Sequence, residues 1–175
     1  DLKLKETRFL YKEEKLTIRN VPDDFTIKIV NKVYPHKNTE LEGLYKSGSI
    51  FCTQNEPEGF RRITPYLDRP DVMSVFSTTV IAEQEKYPIL LSNGNRYESK
   101  QLANSKHSAT WHDPHPKPSY LFALVAGDLG CVNDAFTTAS GEEVELNIYC
   151  DKGNESKCSH AMKSLKESMT WDEEK

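Results

Sequence analysis

No uninterrupted apolar stretch in the 175-residue chain approaches the ~20 residues that a membrane-spanning helix needs. No signal-like segment opens it either. Blocks of one charge are also missing. Against 23 Lys and Arg stand 27 Asp and Glu, a formal net charge of −4, and no basic stripe is present. The expected partners therefore include neither nucleic acid nor an anionic membrane. The chain has no G-x-x-x-x-G-K-[ST], no G-x-G-x-x-G and no G-x-S-x-G, so nothing marks a nucleotide cradle or a nucleophile elbow. Cysteine is sparse. Cys52, Cys131, Cys150 and Cys158 stand far apart with no C-x-x-C pair, which reads as reduced thiols in a cytoplasmic protein. Internal repeats and low-complexity tracts are absent as well.

What the chain does have is alternation. A chain of this length fits one domain, or one domain plus a piece of another, and buries roughly 70% of its unfolded surface. Short alternating runs occur at Phe9-Leu10-Tyr11 and Leu16-x-Ile18, and Phe25 to Ile29 alternates as a half-buried strand does. Val33-Tyr34 extends that strand toward the break at Pro35. Ile50 to Thr53, Thr78 to Ala82, Ile89 to Leu91 and Ser108 to Trp111 read as further strands. Asn93-Gly94 is a hairpin turn signal. Pro70, with Asp71 behind it, is placed to open a helical turn whose Val72, Val75 and Phe76 face inward. Pro114, Pro116 and Pro118 read as a stiff connection, and Tyr120 to Ala126 as a strand buried on both faces. Phe136 to Thr138 and Val144 to Tyr149 flank a turn at Ser140-Gly141, a second hairpin with Val144, Leu146 and Ile148 on its buried face.

The period changes near Asp151-Lys152-Gly153. Asn154 or Ser156 can cap a helix, and Cys158, Ala161, Met162, Leu165 and Met169 follow at spacings of three and four. The pattern reads as mainly β with one C-terminal α-helix, and the expected fold is two layered sheets or a saddle-shaped β-sandwich of mostly antiparallel strands. Residues 1–150 form the sandwich, its first strands expected to be truncated, and 151–175 a helix of a following unit. Both ends read as excisions from a longer protein.

The densest chemistry lies between Phe51 and Val72. Pro57 pushes Glu56 toward extended geometry. In extended chain, residues two apart share a side, so Gln54 and Glu56 project together with Asn55 opposite. An amide oxygen beside a carboxylate is a pair of acceptors, and an ammonium group offers three donors. Spacing alone leaves this open, because a polar loop with a solvated acid has the same composition. Glu58 is a third acid that Gly59 is placed to turn away. Arg61, Arg62, Asp68, Arg69 and Asp71 either form a ligand-binding charge cluster or pair locally to hold the loop; local pairing is the expected role. His112-x-x-His115, interrupted by Asp113-Pro114, reads as a surface loop rather than a metal pair, and Cys158 and His160 fall on different faces of the helix.

Gln54-x-Glu56 followed by Arg61-Arg62-x-x-Pro65-x-x-Asp68-x-Pro70-x5-Phe76 resembles the N-terminal domain of the M1 zinc aminopeptidases. The likeness extends to Glu42-Gly43-Leu44-Tyr45-x-Ser47-Gly48, Leu91 to Arg96, Pro116-Lys117-Pro118-x-Tyr120 to Asp128, and Trp171 to Glu174, in order along nearly the whole chain. The resemblance implies that Gln54 and Glu56 help hold the α-amino group of peptide substrates with a free N-terminus. It implies that the helix after residue 150 opens a thermolysin-like catalytic domain of the same chain, the expected partner of this one. Zinc then belongs to the complete enzyme and is bound outside this chain. The family's H-E-x-x-H and G-A-M-E-N motifs do not occur in these 175 residues, so no catalytic and no metal-ligating residue is assigned here. The competing reading is a stand-alone β-sandwich module that binds peptides or carbohydrates.

On this reading the 175-residue chain alone does not cleave an aminoacyl reporter. Chelator-sensitive turnover by the purified chain would overturn the assignment of the zinc to residues outside it.

Overall fold

The computed structural model describes residues 9–175. A first hairpin pairs β1 (Phe9–Lys12) with β2 (Lys15–Ile18), and Phe9, Leu10 and Tyr11 are exposed on it. Two larger antiparallel sheets follow. One has the order β3-β4-β9-β6, with β3 at Gly43–Ser47, β4 at Ile50–Gln54, β9 at Leu124–Gly127 and β6 at Ile89–Ser92. The other has the order β5-β8-β7, with β5 at Met73–Glu83, β8 at Lys106–Pro118 and β7 at Asn95–Gln101.

The core lies between these two sheets. Leu90 and Ala126 from the first meet Ala109 from the second, with Phe51, Val80, Ala82, Tyr87 and Trp111 packed around them. The Trp111 indole N–H donates to the Leu90 carbonyl across the gap at 3.0 Å, which satisfies the polar end of an otherwise apolar ring. Alternation explains the arrangement. Along β5, Phe76, Thr78, Val80 and Ala82 turn inward while Ser77, Thr79 and Ile81 turn outward, the period of two that a half-buried strand imposes.

β10 (Leu129–Thr137) and β11 (Glu143–Asp151) form the expected hairpin around Ser140-Gly141, and Val144, Leu146 and Ile148 share its inner side. The helix α1 (Ser159–Glu174) packs back on this hairpin. Met162 is buried, the Lys166 ammonium pairs with Asp134 at 2.5 Å, and the Ala139 N–H donates to the Glu173 carboxylate at 3.0 Å. A turn of 3-10 helix, Glu155–Lys157, precedes α1, so the helix starts later than Asn154 or Ser156 suggests, and no side chain caps it. Ala161 and Leu165 of the anticipated stripe are exposed.

Local pattern misplaces several elements. Phe25 to Ile29 is not a strand: no described strand pairs with it, and Phe25, Ile27 and Ile29 stay exposed. Val33-Tyr34 does not extend one either, and Pro35–Lys37 is a short 3-10 turn. Pro70 opens no helix. The turn closes with Val72 N–H on the Arg69 carbonyl at 3.1 Å and runs into β5, where Val75 is exposed opposite a register shift and Phe76 points inward. Asn93-Gly94 is a tight turn, but it joins strands of different sheets, since β6 pairs with β9 and β7 with β8. Tyr120 to Ala126 is not one strand; a 3-10 turn at Ser119–Leu121 delays β9 to Leu124. The proline-rich stretch expected to be a connection is the end of β8. β7 accompanies β8 only as far as the Asn95–His112 pair, so the prolines sit where no donor is needed on that side.

Gly94 occupies the left-handed region at φ 83°, and a Cβ there would stand 2.2 Å from the His112 carbonyl oxygen. Gly94→Ala is expected to destabilise the fold by more than ~1 kcal/mol, because strain and overlap add. Chemical denaturation followed by the fluorescence of the half-buried Trp111 measures the loss.

Candidate functional site

β4 ends at Gln54, and Glu56 to Gly59 then form a turn where Pro57 is expected to hold Glu56 extended. Gln54 and Glu56 are exposed, and Asn55 between them is 3% exposed. Burial of Asn55 is what orients its neighbours. Its amide Nδ2 donates to the Phe122 carbonyl at 2.7 Å, and the preceding Thr53 hydroxyl accepts the Leu124 N–H at 2.9 Å. The end of β4 is thus tied to the segment that leads into β9. The Asn55 carbonyl accepts the Gly59 N–H at 3.1 Å and closes a compact loop. Gly59 is required there, since a Cβ would stand 2.6 Å from the Gln54 carbonyl oxygen. Within the loop Glu58 takes a left-handed backbone, φ 71°, a conformation that costs a non-glycine residue energy unless its surroundings impose it.

Below the loop, Phe60 anchors it in an aromatic cluster, with ring centres 4.9 Å from Tyr66 and 5.2 Å from Phe122, both edge-on. Beside it lies a buried carboxylate. The Asp68 side chain accepts the Ser119 hydroxyl at 2.5 Å, the Arg61 backbone N–H at 3.0 Å and the Arg61 Nε–H at 3.1 Å. Arg61 Nη2 also donates to the Asp68 carbonyl at 2.9 Å. Burial pushes the Asp68 carboxyl up, but the Ser119 hydroxyl, the Arg61 N–H and the guanidinium together hold it below its ordinary value.

Glu56, Glu58, Asp68, Arg69 and Tyr120 border a cleft of about 440 Å³. Gln54 is exposed as Glu56 is, but it lies outside the cleft lining. Glu58, expected to be turned away, lines the same cleft and places its carboxylate 3.3 Å from Arg61 Nη1. The charged residues of the segment pair locally. Arg61 holds Asp68 and Glu58, Arg62 reaches Glu42 at 3.5 Å, and Arg69 pairs with Asp71. Among the described residues Glu56 meets no cation. An exposed, unpaired carboxylate at the rim of a cleft is an acceptor for an incoming ammonium group.

The remaining candidates behave differently. His112 and His115 lie on β8 rather than a loop; His112 Nδ1 is 2.7 Å from the Ser77 hydroxyl, and the Asp113 carboxylate pairs with Lys117. Cys158 is buried at the start of α1 and His160 is exposed. All four cysteines are free. Lost hydration and a hydrogen bond with Cys158 push the Cys150 thiol up to about 11, so it stays protonated at neutral pH. Among the described residues no group of three or more His, Cys, Asp or Glu is arranged to hold a metal ion. No described helix is long and apolar enough to cross a membrane.

Residues 3–121 match the family model of the peptidase M1 N-terminal domain. The chain belongs to that family. Aminopeptidase N of Escherichia coli (strain K12) is 57% identical over 167 residues, 94% of this chain and 19% of that protein. Aminopeptidase N of Haemophilus influenzae is 54% identical over 153 residues, 87% of this chain and 18% of that one. Among solved structures, Legionella pneumophila aminopeptidase A in complex with aspartic acid superposes with a TM-score of 0.87 at 40% identity, covering 98% of this chain and 20% of that one. The chain therefore spans about a fifth of the length of these relatives.

Within this M1 N-terminal domain, sequence reasoning reached Gln54 and Glu56 but missed Ser119 and Tyr120. Ser119 lies 51 residues from its partner Asp68, and no local spacing announces such a pair. Asp68→Asn is expected to cost about 1–3 kcal/mol at neutral pH, since it disturbs a buried, charge-assisted network. The sign of the pH dependence follows from the lowered folded value. Asp68 stabilises the fold above 3.8, its ordinary value, and that contribution fades as pH falls through the lower folded value. The stability gap between wild type and Asp68→Asn, measured by denaturant titration, should be full at pH 6 and shrink toward pH 2.

Proposed function

We infer that this chain is the substrate-recognition domain at the N-terminal side of a zinc aminopeptidase, an enzyme that removes N-terminal amino acids from peptides. The observation that carries this is the unpaired Glu56 carboxylate at the rim of a cleft in an M1 N-terminal domain. Peptides with a free N-terminus present an ammonium group that Glu56 and the Gln54 amide oxygen would accept. A charge-assisted hydrogen bond of that kind contributes roughly 1.5–3 kcal/mol when partly shielded from water. A site interior to a peptide offers no such cation, so the pair favours chain ends. The Legionella relative, 40% identical, was solved with aspartic acid, a ligand that carries a free α-amino group, which supports the reading.

No group of His, Cys, Asp or Glu among the described residues is arranged to hold a catalytic zinc. In the complete enzyme zinc supplies an activated water and polarises the scissile carbonyl, and its ligands are assigned to the remainder of the protein. This chain binds and orients. Residues 151–175 are assigned to the start of the catalytic domain, with α1 lying against the β10–β11 hairpin as the joint between the two. The proposed location is the cytoplasm.

In the complete protein Glu56→Ala is expected to raise KM and lower kcat/KM about tenfold or more on an alanyl reporter. Steady-state kinetics on purified enzyme measure it, and unchanged constants would remove Glu56 from the site.

A further inference from the structure

Glu56 and Glu58 stand on either side of Pro57 and border one cleft. Two free carboxylates so placed would repel each other and compete for one ammonium group. Arg61 removes the competition. Its Nη1 lies 3.3 Å from Glu58 Oε2, its Nε lies 3.1 Å from Asp68 Oδ2, and its Nη2 donates to the Asp68 carbonyl at 2.9 Å. Every nitrogen of the guanidinium is thereby committed. Asp68 is fixed in turn, because its side chain is 4% exposed and its other oxygen accepts the Ser119 hydroxyl. Ser119 is itself 1% exposed, so this end of the chain of contacts cannot swing. The left-handed backbone of Glu58 fits the same picture: it is held, at a conformational cost, where its carboxylate reaches Arg61. Glu56 alone among the cleft's acids is left without a cation or a donor among the described residues.

We propose that Arg61 and Asp68 are positioning residues that decide which loop carboxylate meets the substrate: they draw Glu58 aside and leave Glu56 open, so the site is tuned to a head group with a single positive charge. The proposal rests on the reading that Glu56 holds the substrate's ammonium group. It goes beyond that reading in assigning charge selectivity to a residue that never touches substrate. Releasing Glu58 would place a second open acid beside Glu56 at the rim, while Asp68, which loses the same cation, stays buried behind Ser119. Its preference should then shift toward substrates with a second cation close to the first.

The test uses the complete enzyme and two reporters, alanyl and 2,3-diaminopropionyl, which differ by one ammonium group. The quantity read is the ratio of kcat/KM for the second over the first. Arg61→Gln should raise this ratio threefold or more, and the rise should vanish when Glu58→Gln is added. A ratio unchanged by Arg61→Gln, or a rise that survives loss of Glu58, overturns the proposal. Thermal melting establishes that each variant is folded. Should Arg61→Gln fail to fold, Ser119→Ala removes one donor from Asp68 while keeping every charge, and it should move the ratio the same way by a smaller factor. No movement there overturns the proposal equally. Glu56→Ala on the alanyl reporter separates the two layers. An unchanged KM there defeats the amine-anchoring reading and this proposal with it, whereas a raised KM beside an unmoved ratio defeats the charge-sorting role alone.

Discussion

A single buried carboxylate, Asp68, organises the loop that borders the cleft. Asp68 receives a hydroxyl, a backbone N–H and a guanidinium, and each donor arrives from a different constraint. Ser119 comes from the turn after β8, the Arg61 N–H from the start of a 3-10 turn, and the guanidinium from a side chain that also holds Glu58. Burying a carboxylate is unfavourable unless such partners are present. Once they are, the geometry of the whole loop from Asn55 to Asp68 is narrowly defined. The aromatic cluster around Phe60 adds apolar weight, but rings in edge contact tolerate sliding more readily than a charge with three directed donors.

The two-sheet core serves this arrangement from below. β4 delivers Gln54 and Glu56, and β9 pairs with β4 at Phe51 and Cys52. The Asn55 amide and the Thr53 hydroxyl then stitch the end of β4 to the chain that enters β9. Strand pairing positions the acceptors along the sheet, and the side-chain bonds fix which side they face. The result is a platform tied at both strands, with an exposed acid at its edge.

Much of this was legible in the residues. Apolar and β-branched runs located β4 and the second half of β5, and period-two patterning located β11 of the β10–β11 hairpin. The exposure of Gln54 and Glu56 around a buried Asn55 was legible in the residues as well. What failed depended on partners. Phe25 to Ile29 has the alternation of a strand but no described neighbour to complete a ladder. Asn93-Gly94 encodes a tight reversal, yet nothing local says that the strands it joins belong to different sheets. The apolar run from Tyr120 breaks because Ser119 must reach Asp68 from a turn, a demand set half a hundred positions away along the chain. The local pairing of Asp68 with Arg61 was legible, but its burial against the distant Ser119 hydroxyl was not.

The alternating prolines at the end of β8 have a further consequence. Pro114, Pro116 and Pro118 occupy every second position of a strand whose companion β7 stops at His112. Amide groups two residues apart point to the same flank, so these rings strip the donors from one and the same border of the sheet. A foreign strand approaching there finds carbonyl oxygens with no N–H groups between them and cannot zip on. Missing amide donors of that kind disfavour pairing with a second strand at the border of β8.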